Sequence, residues 1–335
     1  MTATELFNQF SQFNVLVVGD VMIDRYISGE VNRISPEAPV PVLQWNSEED
    51  RLGGAANVAL NIKAMGATPY LCSVIGADED GDCFLDLLPA HGLSALGIAR
   101  SDQRPTTVKT RVMAGNQQLL RIDRETVAPL DTFEAGLFAE KAARLLRDHN
   151  IHVVVFQDYN KGVLFPGNIR MLIAEAQKRG LPTAVDPKFH NFWEFAGVTL
   201  FKPNLKEIRA QVGIPVPAET AALELAAAEV RKRLNNLNTM ITLSEKGLFL
   251  DDGQHARIIP TQPRAIADVS GAGDTVIAIV ALGLAAGMDL DALGTLSNLA
   301  GGQVCEHLGV VPVNKQQLLR EYEMLGKRDQ TSTER

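Results

Sequence analysis

The segment 268–276 reads Asp-Val-Ser-Gly-Ala-Gly-Asp-Thr-Val and has the residues to move a proton beside a bound anion. Gly271, Ala272 and Gly273 precede a long apolar stretch that predicts a helix, so their backbone N–H groups lie at its amino end. That end carries about half a positive charge and binds anions. A carboxylate at Asp274 makes chemical sense there if it removes a proton from a nucleophile beside the anion. Helix capping explains these polar residues equally well, and the sequence leaves both explanations open.

A second glycine pair, Gly53 and Gly54, stands directly before another predicted helix. Glycine lets a ligand approach the backbone closely, and Asn57 offers an amide one turn later. A plain turn before a helix would account for the same residues, so this pair alone is weak evidence. Neither segment is a GxxxxGK[ST] phosphate loop or a GxGxxG dinucleotide turn.

Short apolar runs alternate with helical patterns along most of the chain and must position these residues. The runs typical of buried strands lie at 15–19, 70–75, 151–156, 182–185, 198–201 and 239–243. The helical patterns lie at 55–65, 133–147, 168–178, 205–212, 218–234 and from 275 to about 327. This alternation predicts an α/β fold with a mainly parallel sheet flanked by helices, whose ligands bind at the carboxyl ends of the strands.

Two stretches depart from the alternation. Residues 106–113 and 118–123 flank a Gly-Asn turn and predict a β-hairpin, on which Lys109 and Arg111 share one face. A further strand at 40–45 follows residues 32–39, which we expect to be a loop.

We expect these strands to form a small antiparallel flap drawn from about 24–50 and 104–124. Such a flap is unstable alone and must close on its own domain, on substrate or on a second copy. The domain itself is expected to span 1–328, followed by a frayed tail at 329–335.

Composition excludes several classes of protein. The 335 residues carry a net charge of −8, so no global positive field attracts nucleic acid or anionic lipid. The longest apolar run, 276–288, is shorter than the roughly 20 residues of a membrane span, and no secretory signal opens the chain. Three cysteines without a CxxC spacing argue against a zinc site and suit a reducing compartment. We therefore expect a cytoplasmic protein that binds neither nucleic acid nor membrane.

Taken together, three segments resemble the ribokinase-like (PfkB) family of sugar kinases, and the resemblance covers nearly the whole chain. They are the glycine box at 53–57, the Asn-Leu-Lys-Glu run at 204–207 and the Gly-Ala-Gly-Asp box at 271–274. The resemblance implies ATP as phosphate donor, Asp274 as the base for the acceptor hydroxyl and the amides of Gly271, Ala272 and Gly273 around the transferred group. It also implies that Asn204 and Glu207 organise the Mg²⁺ of Mg-ATP, largely through water. Seen alone, these two residues would equally form a helix-capping box.

A finer resemblance is to the D-glycero-β-D-manno-heptose 7-phosphate kinases. It rests on the segments 19–26, 32–41, 51–57, 158–162 and 186–188, of which Arg-Ile-Ser-Pro-Glu-Ala-Pro-Val-Pro at 33–41 is the most specific. Gln157 and Phe189 depart from the pattern, which has Ser and Gly there. The resemblance implies phosphorylation of the anomeric hydroxyl to give the 1,7-bisphosphate, a precursor of ADP-heptose for the lipopolysaccharide core. A nucleotidyltransferase domain follows in bifunctional relatives, whereas this chain ends at Arg335, so we expect a stand-alone kinase, dimeric through its flap.

This resemblance assigns further side chains to the sugar and the nucleotide. Sugar hydroxyls are expected at Asp24, Asn32, Gly53, Gly54 and Asn57. The doubly charged 7-phosphate calls for cations, and the candidates are Arg33, Lys109 and Arg111. The nucleotide is expected at Asn204, Glu207, Thr242, Ser244, Glu245, Gly247, Gly271, Gly273, Asn298 and Gly302. Lys161 and Lys188 follow predicted strands and are further candidates for phosphate contacts, with an ordinary surface lysine as the alternative.

Two other functions stay open at this point. One is a different kinase of the same family, acting on fructose, ribose, tagatose 6-phosphate or fructose 6-phosphate. The other is a non-catalytic sensor of sugar or nucleotide built on the kinase fold.

Overall fold

A computed structural model describes residues 2–333, and the surroundings of side chains from 2 to 326. The strands, in chain order, are β1 (Asn14–Gly19), β2 (Val21–Ile34), β3 (Pro41–Gly54), β4 (Thr68–Gly76), β5 (Gly97–Ser101), β6 (Val108–Ala114), β7 (Gln117–Arg124), β8 (Val153–Gln157), β9 (Thr183–Asp186), β10 (Leu200–Phe201), β11 (Asn238–Thr242), β12 (Leu248–Asp251) and β13 (Ala256–Ile259). The α-helices are α1 (Ala3–Phe10), α2 (Ala55–Ala64), α3 (Glu79–Ala90), α4 (Thr132–Asp148), α5 (Pro166–Lys178), α6 (Leu205–Gln211), α7 (Thr220–Leu234), α8 (Ala272–Ala285), α9 (Leu290–Val304) and α10 (Lys315–Thr333).

The larger sheet has the strand order β13-β12-β11-β10-β9-β8-β1-β4-β5. All neighbouring pairs from β11 to β5 are parallel, and β12 and β13 add an antiparallel edge. The predicted α/β fold with a mainly parallel sheet is therefore confirmed. Because these parallel strands all end at one edge, that edge collects the residues that follow each strand.

Helices cover both faces of this sheet. In β1, Val15 and Val17 pack into one apolar core with α1, α2, α8, α9 and α10, while Leu16 and Val18 pack into the other with α4, α5 and α7. Side chains alternate between the faces of a strand, so a strand buried on both sides reads as a continuous apolar run. Within the described residues, no helix is both long and apolar enough to cross a membrane.

A second sheet, which we call the flap, has the strand order β3-β2-β6-β7. The pairs β2/β3 and β6/β7 are antiparallel, whereas β2 and β6 run parallel. The expectation of a loop at 32–39 is wrong for its first three residues, because β2 continues to Ile34. Its tip is exposed to solvent, so pairing with β3 rather than burial keeps it extended.

The remaining differences from the sequence analysis are at element ends and in short elements. The helices α1 and α3 and the strands β5, β12 and β13 were not predicted, and the strand expected from 198 begins at Leu200. The helix α10 continues to Thr333, which includes the first five residues of the tail expected at 329–335. Residues 334 and 335 lie outside the described residues.

Candidate active site

The site lies where β1, β8, β9 and β10 end, opposite the amino end of α8. Gln157 and Asp186 close β8 and β9, and Lys202 follows β10. All three side chains are at least 95% buried. The helix α8 begins at the glycine turn and brings Asp274 onto these strand ends, 3% exposed.

Three donors hold the carboxylate of Asp274. Its Oδ1 accepts hydrogen bonds from the Tyr159 hydroxyl at 2.7 Å and from Gln157 Nε2 at 3.1 Å. Its Oδ2 accepts one from Asn57 Nδ2 at 2.8 Å. Burial raises the pKa of Asp274 to about 6, and Asp186 adds to the rise while Asn57 and Tyr159 oppose it. A carboxylate with such a pKa is largely ionised at neutral pH and is still basic enough to accept a proton.

The glycine turn brings backbone amides next to this carboxylate. Gly271 caps α8 with a φ of +79°, and an added Cβ there would lie 2.9 Å from Asn57 Nδ2. The Ala272 N–H donates to the carbonyl of Val269 at 3.3 Å, whereas no acceptor within the described residues faces the amides of Gly271 and Gly273. The amides of Gly271 and Gly273 are therefore available to an anion. The amide of Ala272 can bind one only if its hydrogen bond to Val269 breaks.

Positive and negative side chains alternate next to this turn, from the end of β10 to α6. Lys202 Nζ lies 2.9 Å from Asp186 Oδ2, and Lys188 Nζ lies 3.4 Å from Asp186 Oδ1. Although burial alone would raise it, the two lysines hold the pKa of Asp186 below its ordinary value. Lys188 also reaches Glu207 Oε1 at 2.6 Å, and together its carboxylate partners raise the pKa of its ammonium against burial. Lys188 therefore stays charged between Asp186 and Glu207.

Asn204 and Glu207 form the capping box that the sequence left as an alternative. The Glu207 N–H donates to Asn204 Oδ1 at 2.9 Å, and the Asn204 N–H donates to Glu207 Oε2 at 2.8 Å. Because Lys188 holds the other oxygen of Glu207, both carboxylate oxygens are engaged. Within the described part of the chain, no cluster of three or more His, Cys, Asp or Glu could hold a metal. This donor set fits an ion that keeps most of its water, and it does not fit a metal held by protein alone.

A cleft of about 460 Å³ adjoins this capping box. Asn204, Thr242, Ser244 and Glu245 line it, so four predicted nucleotide residues meet there. Gly247 lies just beyond, with a φ of +97° and with the Ile259 carbonyl where a side chain would be.

The other two predicted nucleotide residues lie on α9 and make contacts within the protein. Asn298 Nδ2 donates to the carbonyl of Pro260 at 2.9 Å. Gly302 lies under the side chain of Arg264, to which an added Cβ would approach within 2.8 Å.

The flap covers the site with one polar face. Asp24 pairs in register with Arg51 on β3 and with Lys109 on β6, and Tyr26 pairs with Arg111, so these five side chains share this face. Arg111 forms an ion pair with Asp24. Asp24 is 4% exposed and lies against Gly53, where an added Cβ would be 2.2 Å from Asp24 Oδ2.

A second cleft of about 220 Å³ separates this face from the loop that leads into the glycine turn and from the loop after α9. Arg51 and Arg111 line it and flank the Tyr26 ring, with their guanidinium carbons 4.8 and 5.3 Å from the ring centre. The hydroxyl of Tyr26 is buried and has no hydrogen-bond partner among the residues that the structure describes. Gly309 contributes backbone here, and an added Cβ would lie 2.5 Å from Arg51 Nη1.

Several predicted residues do not meet at Asp274. Lys109 is neutralised by Asp123 at 3.1 Å and Glu125 at 2.9 Å, and Lys161 pairs with the same Glu125 at 2.7 Å. Asn32 and Arg33 are exposed near the tip of β2. At about 3.3 Å per residue, Asn32 lies about 26 Å along this strand from Asp24. The two lysines are thus engaged by carboxylates, Asn32 and Arg33 lie far along β2, and Asn57 contacts the base itself.

Sequence reasoning missed four residues that the structure brings into the site. They are Gln157, Tyr159, Lys202 and Arg51. Lys202 had a usable signal, since a charged residue directly after a buried strand is the pattern that singled out Lys161 and Lys188. The contacts of Gln157 and Tyr159 with Asp274 span more than 110 residues and leave no local pattern.

Comparison with known proteins gives the family of this chain. The profile of the pfkB family carbohydrate kinases matches residues 12–316. The chain belongs to this family. It is similar to the bifunctional protein HldE of Geobacter metallireducens, with 41% identity over 94% of this chain and 64% of the relative. The HldE of Ectopseudomonas mendocina is 43% identical over 93% of this chain and 64% of the relative. The chain thus spans less than two thirds of these curated relatives.

Solved structures show the same fold. Phosphofructokinase-2 from Escherichia coli superposes with a TM-score of 0.76, at 20% identity over 94% of this chain and 99% of the other. The ribokinase of Arabidopsis thaliana, solved with ribose and ATP, has a TM-score of 0.71 at 18% identity over 92% of this chain and 98% of the other. The predicted ribokinase-like fold and the predicted carbohydrate-kinase family are confirmed.

Proposed function

We propose that this PfkB kinase transfers the γ-phosphoryl group of ATP to the anomeric hydroxyl of D-glycero-β-D-manno-heptose 7-phosphate, giving the 1,7-bisphosphate. The observation that supports phosphoryl transfer most directly is the buried Asp274 carboxylate beside the glycine turn. The heptose is supported by the resemblance of the segments at 19–26, 32–41, 51–57 and 158–162. The product would feed ADP-heptose synthesis for the lipopolysaccharide core in the cytoplasm.

Asp274 acts as the base in this proposal. Transfer of a phosphoryl group needs a nucleophile in line with the leaving group, neutralised charge and little water. Asp274 takes the proton of the anomeric hydroxyl, while the amides of Gly271 and Gly273 donate to the transferring group. Preorganised donors of this kind contribute about 3–4 kcal/mol each to catalysis.

The nucleotide occupies the cleft beside Asn204, Thr242, Ser244 and Glu245, with its phosphates toward Lys188 and the amino end of α8. The ammonium of Lys188 lies between Glu207 and Asp186, which would hold it beside the phosphates. Mg²⁺, when bound, neutralises phosphate charge. Asn204 and Glu207 would hold its water shell, because the side-chain oxygens of both residues already accept hydrogen bonds within the protein.

Arg111 and Arg51 bind the 7-phosphate of the sugar. Both line the cleft under the flap, and the chain links this cleft directly to the base: Gly309 adjoins Arg51, and the next residue, Val310, adjoins Gly271. A sugar with its anomeric end at Asp274 would therefore point its other end toward the two arginines. Glu49 already holds Nε and Nη2 of Arg51, so Nη1 is the group offered to the phosphate. Lys109 is a weaker candidate than the sequence suggested, because two carboxylates neutralise it.

The outer face of the flap joins two copies of the chain. Val112 pairs in register with Ile27 and Leu120, and Thr110 pairs with Ile122, so apolar side chains share the face that points away from the site. Leu120 and Ile122 are more than half exposed, which is costly for a monomer. Light scattering on a size-exclusion column tests this: we expect a dimer at micromolar concentration and a monomer for Ile122→Arg.

The test of the proposed function is incubation with Mg-ATP and heptose 7-phosphate, followed by mass spectrometry and phosphorus NMR. We expect one new phosphate at the anomeric carbon, and loss of kcat by orders of magnitude in Asp274→Asn with little change in ATP affinity. Fructose, ribose, tagatose 6-phosphate and fructose 6-phosphate in the same assay test the alternatives within the family. Turnover of one of these in preference to the heptose would overturn the substrate assignment. Parental turnover by Asp274→Asn would overturn the base, and binding of ATP without any transfer would indicate a sensor.

A further inference from the structure

The two oxygens of the Asp274 carboxylate are unequally engaged. Oδ1 accepts from both Tyr159 and Gln157, while Oδ2 accepts from Asn57 alone. A carboxylate oxygen has about two lone-pair directions for hydrogen bonds. Oδ1 is therefore filled, and one direction remains at Oδ2.

We propose that Oδ2 of Asp274 is the oxygen that takes the substrate proton, and that Tyr159 is the positioning residue that keeps Oδ1 out of the reaction. This inference rests on the proposed function, because it requires Asp274 to act as a base toward a sugar hydroxyl. It goes further in assigning the reactive atom and a role for a residue next to it.

Tyr159 is held at both ends. Its hydroxyl must donate to Asp274, since an ionised carboxylate only accepts. Its backbone N–H donates to Asp20 Oδ2 at 2.8 Å, and the carboxylate of Asp20 also takes the N–H groups of Lys161 and Val163, each at 3.0 Å. Asp20 is 1% exposed and follows β1 directly, so the loop that carries Tyr159 is tied to the centre of the sheet.

Gln157, the second donor to Oδ1, cannot turn its amide over. Its Nε2 lies between Asp274 Oδ1 at 3.1 Å and Asp186 Oδ2 at 3.4 Å. Turning the amide would place its carbonyl oxygen against two carboxylates, which repel it. Both donors to Oδ1 are thus fixed by contacts outside Asp274. The donor to Oδ2, Asn57, lies on α2, which begins directly after the predicted sugar residues Gly53 and Gly54.

The reaction then balances around one oxygen. The O–H bond of the anomeric hydroxyl breaks and its proton goes to Oδ2. The hydroxyl oxygen forms a bond to the γ-phosphorus, the bond from that phosphorus to the bridging oxygen breaks, and the electron pair leaves with ADP. The proton stays on Oδ2 until the products leave.

The charged and titratable groups that surround Asp274 set how Tyr159 affects its titration. Tyr159 itself faces it from the loop after β8, Asp186 and Lys188 from the end of β9, and Lys202 from the end of β10 beyond Gly273. Removing the Tyr159 hydroxyl leaves these charges in place and takes one donor from the ionised carboxylate. The ionised form alone loses stabilisation, so Asp274 should protonate at higher pH.

The test compares Tyr159→Phe with the wild type and with Tyr70→Phe across the pH range. Tyr70 stacks on His149 at the far side of the sheet and is the matched control. A hydrogen bond to a charged group corresponds to a shift of about one pH unit. We expect the acid limb of kcat/KM to move up by about that much in Tyr159→Phe only, with an unchanged KM for ATP. Titration of the substrate phosphate is common to all three proteins and cancels in the comparison.

A uniform loss at every pH, with the limb unmoved, would reduce Tyr159 to a structural residue and overturn the inference. Carbon-13 NMR of the labelled Asp274 carboxyl measures the same shift without turnover, so it separates failure of this inference from failure of the proposed function. If Tyr159→Phe does not fold, a crystal structure of the wild type with the sugar and a non-hydrolysable ATP analogue decides. The acceptor oxygen within hydrogen-bond distance of Oδ2 supports the inference, and its presence on Oδ1 with Tyr159 displaced overturns it.

Discussion

Asn57 Nδ2 donates a hydrogen bond to Asp274 Oδ2 at 2.8 Å, although 217 residues separate the two in the chain. The contact joins the glycine box before α2 to the glycine turn before α8, which the sequence analysis treated as separate segments. Asn57 is fully buried, and its own Oδ1 accepts from Asn61 Nδ2 at 3.3 Å. Asn57 therefore holds the base, whereas the family resemblance led us to expect a contact with a sugar hydroxyl.

We predict that Asn57→Leu lowers kcat at pH 7 about tenfold with little change in the KM for ATP. The variant takes one of three donors from the carboxylate, and a hydrogen bond to a charged group contributes about 1.5–3 kcal/mol. Loss of the donor raises the pKa of Asp274 further above its ordinary value, so raising the pH to 8.5 should restore part of the rate. Steady-state kinetics at both pH values check this. An increase confined to the KM of the sugar would instead support the contact with a hydroxyl.

Lys202 provides a prediction on stability. It is 2% exposed and its ammonium lies 2.9 Å from Asp186. Lys202→Met leaves a buried carboxylate with less compensation, which costs about 3–5 kcal/mol in similar pairs. We expect urea unfolding to show a loss of about 3 kcal/mol, partly recovered in the double variant Lys202→Met with Asp186→Asn. Lys206→Met, at an exposed position on α6, is the control and should change the free energy of unfolding by less than about 0.5 kcal/mol.

The sequence predicts the central sheet well and the flap less well, for a physical reason. Strands such as β1 are buried on both faces, so their apolar runs are visible locally. Most of β2 and β3 is half-buried or exposed, and they are extended because they pair with each other along thirteen residue positions. Pairing between two strands leaves no hydrophobic periodicity in the sequence of either strand, so it cannot be read from one segment alone.

The same distinction between local and long-range patterns applies to the site residues. Asp274 and the glycine turn were predicted because helix start, glycines and acid lie within four residues. The partners of Asp274 come from the end of β8, from the loop after it and from α2, and the strand order brings them together. Lys109 shows the reverse case: its position on the polar face of the hairpin was predicted, but the carboxylates that neutralise it come from β7 and the residues after it.

Arg51 provides a prediction on substrate specificity. We expect Arg51→Gln to raise the KM for the sugar phosphate at least tenfold, because a charge-assisted contact with the phosphate is lost. The KM for ATP should stay within about twofold, and a sugar without the phosphate should be affected little. Arg121→Gln is the matched control, since Arg121 lies on the same sheet, is 52% exposed and pairs with Asp123. Equal effects of Arg51→Gln on both substrates would remove Arg51 from the phosphate site.

Gly53 tests how closely the flap must approach the site. An added Cβ at Gly53 would lie 2.2 Å from Asp24 Oδ2 and 2.9 Å from the Met22 side chain, both buried, so neither can move away freely. We expect Gly53→Ala to push Asp24 from its place beside Arg111, raising the KM for the sugar by tenfold or more and lowering the melting temperature. Gly136→Ala is the control, because Gly136 lies on an exposed face of α4 and no atom of the described residues is within 4 Å of the added Cβ. There the helix should gain about 0.5–1 kcal/mol, because alanine loses less backbone entropy than glycine, with kinetics unchanged. If Gly53→Ala binds the sugar as tightly as the wild type, the contact between Gly53 and Asp24 does not shape the sugar site.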